Sequence, residues 1–219
     1  MYMKTDKQLQ QDVLDDLRWD PSVDASKIGV TANNGVVTLT GSVPTYFQKQ
    51  NGERVAKRVS GVRAVANDIE VRLPTATEKT DSDIASATLH ALKWDAAVPD
   101  EKITVGVSKG WVTLDGSVDW NYQREAAEKA VATLVGVKGV SNRVSVAPHV
   151  KSKEVMSEIK AALHRYADVE ARNIQIDSID STITLRGQVR SWAERKEVES
   201  AAWMAPGVTQ VKNEIVVSV

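Results

Sequence analysis

The chain has 219 residues, no cysteine, three histidines and a formal charge of −1. Without cysteine there are no disulfides, thiolate metal sites or cysteine nucleophiles, and 28 basic residues balanced by 29 acidic ones do not make the footprint of a protein that binds nucleic acid along its length. No stretch approaches the roughly 20 apolar residues of a transmembrane segment, so the sequence is expected to be soluble, cytoplasmic as written and periplasmic if a leader was removed.

In chain order, Leu9, Val13 and Leu17 recur at helical spacing and predict an amphipathic helix. Trp19-Asp20 follows, and because Trp94-Asp95 recurs at the equivalent place, the ring is expected to pack on the next loop. Two strands come next, with Ile28 and Val30, then Val37, Leu39 and Val43, facing inward. Asn34-Gly35 between them suits a tight hairpin that needs positive φ. Thr45, with Gln48 three residues on, opens a second helix with a capping-box pattern, and Val55, Ala56 and Val59 form its inner stripe. Gly61 is expected as its left-handed C-terminal cap. Val65, Ile69 and Val71 then predict a last strand, parallel to the second if the helix crosses over right-handedly, with either sheet edge open to it. The order αββαβ makes an α+β sandwich, a three-stranded mixed sheet with two helices on one face.

This unit is written three times. Leu17, Leu92 and Leu163 lie 75 and then 71 residues apart, and the same shifts align Leu39, Leu114 and Leu185. The bounds are 5–74, 80–148 and 151–219. The second copy reads Ile84, Thr88 and Leu92 for the first helix, Lys109-Gly110 for the hairpin and Ala130, Val131 and Leu134 for the second inner stripe. The third reads Val155, Ile159 and Leu163, then Asp180-Ser181, whose turn must differ, then Ser191 with Glu194 and a stripe of Ala201, Ala202 and Ala205. Units of about 70 residues are near the size at which a core barely offsets chain entropy, so contacts between units are expected.

Two motifs recur in register. Val37-Thr38-Leu39-Thr40-Gly41-Ser42-Val43 is matched around Gly116 and Gly187, and Gly61-Val62-Arg63-Ala64-Val65-Ala66-Asn67-Asp68-Ile69 around Gly136 with Asn142 and Gly207 with Asn213. In this order they resemble the BON domain, in three tandem copies over nearly the whole chain. The resemblance implies non-enzymatic modules linked to phospholipid surfaces, envelope integrity and osmotic stress. It implies structural roles for these glycines and asparagines, with no catalytic set and no cofactor. A cytoplasmic potassium-binding member joins the module to a LysM module, but no second module type is present here.

The candidate surface residues come from the strand-to-helix junctions, Tyr46, Phe47, Trp120, Tyr122 and Trp192, in a chain with six tryptophans and one phenylalanine. Amphipathic aromatics suit a lipid headgroup boundary, and Lys49, Lys57, Arg58 and Arg63 make a basic surface that suits anionic headgroups. The competing expectation is that these rings pack over helix ends or on the neighbouring unit. Trp111 has outward parity on its strand, which makes it a candidate contact between units or subunits, or with a protein partner. His90, His149 and His164 are scattered, with no carboxylate at metal-ligand spacing, so no metal site is predicted. No nucleophile elbow or phosphate loop is present. The sequence therefore points to a peripheral binder of anionic phospholipid or envelope components, with a protein-interaction or chaperone-like scaffold as the alternative and a potassium or other ion sensor as a third.

Overall fold

The structure, a computed structural model, describes residues 4–74, 79–147, 174–179, 181–205 and 208–217. In the first unit α1 (Asp6–Trp19) is followed by β1 (Ile28–Asn33), β2 (Val36–Val43), α2 (Tyr46–Arg58) and β3 (Ala64–Val71). The second runs α3 (Asp81–Trp94), β4 (Ile103–Ser108), β5 (Trp111–Val118), α4 (Asn121–Ala132), β6 (Gly139–Asn142) and β7 (Ser145–Val146). The third runs β8 (Ile174–Ile179), β9 (Thr182–Val189), α5 (Trp192–Trp203) and β10 (Gln210–Val217). The stripe Val155, Ile159 and Leu163, His149, His164, Asp180 and Gly207 lie outside the described residues.

In every unit the middle strand pairs antiparallel with the strand before it and parallel with the strand after the helix. This resolves the strand order, with β2, β5 and β9 central. Leu39, Leu114 and Leu185 lie on these strands and are fully buried, as the alternation predicts. The stripes Leu9, Val13, Leu17 and Ile84, Thr88, Leu92 are buried beneath them. Thr88 satisfies its hydroxyl by donating to the Ile84 carbonyl, 2.7 Å away. Both first helices start with a reciprocal cap, Thr5 with Gln8 and Thr80 with Asp83.

The hairpins adopt the predicted left-handed pair, with φ of 50° and 79° at Asn34-Gly35 and 52° and 79° at Lys109-Gly110. A carboxylate holds each turn: Asp6 accepts from the backbone N–H groups of Asn34 and Gly35, and Asp81 from those of Lys109 and Gly110. A Cβ at Gly41 would lie 2.0 Å from the Lys27 carbonyl oxygen, and one at Gly116 would lie 2.1 Å from that of Lys102, so only glycine lets the strands approach. Asn67 donates to the Lys49 carbonyl and to Glu53 on α2 and accepts from the Ile69 N–H, tying helix to strand. Asn142 and Asn213 repeat that knot with Arg124 and Glu128, and with Arg195 and Glu199.

Four expectations change. Gly61 and Gly136 have φ of 100° and 98°, but α2 and α4 end at Arg58 and Ala132. Each glycine is instead the third residue of a turn closed by Val62 N–H to Val59 O, or by Val137 N–H to Leu134 O, a place that requires positive φ. In α4 the buried apolar residues are Ala127, Val131 and Ala132, while Ala130 and, past the helix end, Leu134 are half-buried. Only the forward half of the second-helix capping boxes forms. Thr45 and Ser191 accept from the N–H groups of Gln48 and Glu194, while the Glu194 carboxylate takes the Arg190 N–H. Finally, Trp19 and Trp94 do not pack on the following loop: they are 90% and 85% exposed. Each ring sits two residues past the last core-facing leucine, and two steps of about 100° turn a side chain to the opposite side of the helix.

The units touch through their second helices. Tyr46, the first residue of α2, packs on the second unit's core, where its hydroxyl bonds the Val140 backbone and lies near Glu128 of α4. Arg124, in the first turn of α4, lies 4.8 Å from the ring of Trp203, the last residue of α5, and Trp203 packs on the second unit's core. Trp192, the first residue of α5, packs on the first unit's core, with Lys57 at the end of α2 over its ring at 5.5 Å. Each helix start meets the later half of a neighbour's helix, in one direction around all three units. Heterologous contacts of one sense that return to the first member close a ring.

Candidate functional site

The predicted surface residues divide between the seams of this ring and its rim. Tyr46, Lys57 and Trp192 are in seams. Phe47, next to Tyr46 along its helix, and its equivalent Tyr122 are 41% and 58% exposed. Trp120 is partly exposed at the start of α4, and the structure adds Trp19 and Trp94 to this exposed set.

The C-terminus of α1 and the N-terminus of α2 lie at one end of the first unit. Asn51, one turn after Phe47, donates to the Ser22 hydroxyl in the loop after Trp19. That end is held by Asp20, which accepts from the Ser22 hydroxyl and backbone N–H and pairs with Arg54 and Arg58 at 3.5 and 3.4 Å. These hydrogen bonds from Ser22, helped by the two guanidinium groups, hold the Asp20 carboxyl below its ordinary pKa. Arg58 therefore serves the fold as well as the surface. Lys57 pairs with Glu53 beneath the Trp192 ring. Burial pushes the Glu53 pKa up, but hydrogen bonds from Lys57 and Asn67, with the charges of Lys57 and Lys49, outweigh it and leave the group low. Burial in the seam raises the Tyr46 pKa. The Arg63 stem lies against the hairpin at Gly35. Of the basic residues read from the sequence, Lys57 and Arg58 are thus paired within the fold.

Each of these largely exposed tryptophans is preceded by an exposed base, Lys93 before Trp94 and, before Trp19, Arg18, which pairs with Asp15 at 3.1 Å on the surface. This repeated pair is the residue set that the sequence reading passed over. Its signal was present in the helical phase relative to Leu17 and Leu92. On α3 the exposed face also carries Leu89, 54% exposed, and His90.

Trp111 is 50% exposed on the open face of the second sheet. Its ring covers Gly139, its partner across the strands, where a Cβ would come within 2.4 Å of the ring, and its Nε1 donates to Ser141 Oγ at 3.0 Å. Among the described residues no group of three or more His, Asp or Glu is placed to hold a metal ion, and no helix is long and apolar enough to cross a membrane.

The family model described as "BON domain" matches residues 5–72, 80–148 and 152–218. Osmotically-inducible protein Y of Escherichia coli (strain K12) is 32% identical over 127 residues, which cover 55% of this chain and 62% of that protein. The match thus spans less than two thirds of that relative. A protein of Anaplasma centrale described as "Uncharacterized protein in gshII 5'region" is 33% identical over 116 residues, covering 50% of this chain and 77% of its own length. Among solved structures, CdsD, a structural protein of the Type III secretion system of Chlamydia trachomatis, is 15% identical, with 95% of this chain and 91% of that chain covered at a TM-score of 0.27. A similarity that low carries no argument about this chain.

Proposed function

The chain belongs to the BON domain family, and from that premise we propose that it is a non-enzymatic, stress-associated protein that binds anionic phospholipid surfaces peripherally through its ring rim. The relative named as osmotically inducible supports the stress association. The observation that carries the lipid reading is the pair of exposed indoles at equivalent positions, Trp19 at 90% and Trp94 at 85%, each beside an exposed base. An indole suits the headgroup boundary, and an adjacent cation suits a lipid phosphate. Equivalent residues of a closed ring share one level along its axis, so one flat surface meets both indoles together. A single ring gives weak membrane affinity, and two on one rigid body give avidity. Phe47 and Tyr122 extend the same contact, while Lys49 and Arg63 supply charge to it.

Vesicle co-sedimentation tests this reading. The protein should pellet with vesicles containing phosphatidylglycerol at low salt, less at high salt, and not with neutral vesicles. A protein that ignores anionic vesicles at low salt refutes it. The half-exposed Trp111 on an open sheet then favours the alternative, a protein-interaction scaffold.

A further inference from the structure

The three units do not spend their aromatic residues in the same places. At the rim the first two units carry Trp19 and Trp94, where the sequence of the third has Arg165; positions 47, 122 and 193 read Phe, Tyr and Ala, and positions 45, 120 and 191 read Thr, Trp and Ser. At the seams the bias reverses. Tyr46, Trp192 and Trp203 lie in seams, while the equivalents of 46 and 192 in the second unit, and of 203 in the first and second, are Asn121, Lys57 and Ala132.

We propose that the third unit is the clasp of this protein, an intramolecular docking module whose two tryptophans close the ring against the first and second units. Each ring lies across a boundary. Trp192 packs on the first and third cores, between Lys57 at 5.5 Å and its own unit's Arg195 at 4.9 Å. Trp203 packs on the second and third cores beneath Arg124 at 4.8 Å. Cations over partly desolvated indole faces are favourable, and both cross-unit cations come from the partner units, so the third unit brings the rings and its neighbours the charges. Among the described residues the buried Trp192 Nε1 has no hydrogen-bond partner, and the contacts its ring makes in the seam are packing and the cations. The third unit's own helix stripe is of small residues, Ala201, Ala202 and Ala205, where the first unit has Val55, Ala56 and Val59. Docking therefore gives the third unit burial that its own core does not supply.

The division of labour, with two units at the surface and one closing the ring, rests on the proposed lipid contact. Closure does not, and it is measured without vesicles. The chain has no cysteine, so Ser60→Cys in the first unit and Lys212→Cys in the third, both exposed, accept a pair of spin labels cleanly. In the otherwise native full chain the labels should give one narrow distance distribution. Trp192→Ala with Trp203→Ala should replace it with a broad, longer distribution, and Trp192→Phe, which keeps a ring and removes the unpaired N–H, should keep it narrow. Because the double variant removes packing from the third unit itself, Lys57→Glu with Arg124→Glu provides a second arm with both changes outside that unit. It should also broaden the distribution, with far-UV circular dichroism unchanged. A narrow distribution surviving in the charge-reversed chain overturns the proposal, as does a broad one in the native sequence.

Discussion

Tyr46 and Phe47 are neighbours in sequence and in helix α2, yet they belong to different parts of the molecule. Tyr46 is turned into the second unit's core with its hydroxyl on the Val140 backbone, while Phe47 is 41% exposed at the rim. One residue along a helix rotates a side chain by about 100°, enough to separate a contact between units from a contact with the surroundings. Aromatic character alone therefore assigns no role at these junctions. The direction of the side chain relative to the neighbouring unit decides whether a ring holds the ring of modules together or faces outward.

The core sets the upper end of the scale for testing that contrast. Leu114→Ala, at a fully buried position of the central strand, should cost about 2–5 kcal/mol in urea denaturation, because the close-packed sheet and helices around it refill the space only in part. A cost below about 0.5 kcal/mol would place that leucine outside the core. Tyr46→Ala, in the seam, should cost about 1–2 kcal/mol, since a half-buried ring and one hydrogen bond are lost while the parent unit keeps its own core. If it matches Leu114→Ala, the seam is part of a unit's core. If it is neutral, the seam does not form in solution.

Glu53 gives a smaller, pH-dependent effect at the same seam. Its folded pKa lies below the ordinary carboxylate value because Lys57 and Asn67 bond the charged form strongly enough to outweigh burial. Its contribution is therefore present above the unfolded pKa and is lost as pH falls through the lowered folded one. Glu53→Gln should lower stability at pH 7 and flatten the decline on the acid side below about pH 4.5, as read by denaturation at a series of pH values. An unchanged acid limb would show that the ion pair contributes nothing.

The smallest stability change belongs to the rim. Trp19→Ala and Trp94→Ala should each stay within about 0.5 kcal/mol of the parent, as exposed side chains do. A larger loss would mean that these rings are covered in solution.

Much of this architecture was legible in the sequence because repetition tested each assignment independently. The Asn34-Gly35 and Lys109-Gly110 turns, the buried Leu39, Leu114 and Leu185, and the parallel crossover all follow from local chemistry and periodicity. The roles of Asp6 and Asp81 were not legible, since each carboxylate bonds a hairpin 28 residues away. The ring was out of reach for the same reason: which unit receives Tyr46 or Trp192 depends on how finished units dock. The exposure of Trp19 and Trp94 was a different case. Their recurrence suggested packing, whereas their helical phase relative to Leu17 and Leu92 already pointed them outward.

Depth-dependent quenching of tryptophan fluorescence by brominated lipid tests the surface contact most directly, because it reports which rings reach the acyl boundary. With phosphatidylglycerol vesicles, the parent chain should be quenched. The Trp19→Phe, Trp94→Phe chain should lose most of that quenching, although Trp111, Trp120, Trp192 and Trp203 remain. Quenching that persists undiminished in the double variant, or is absent from the parent, would contradict a contact made through these two indoles.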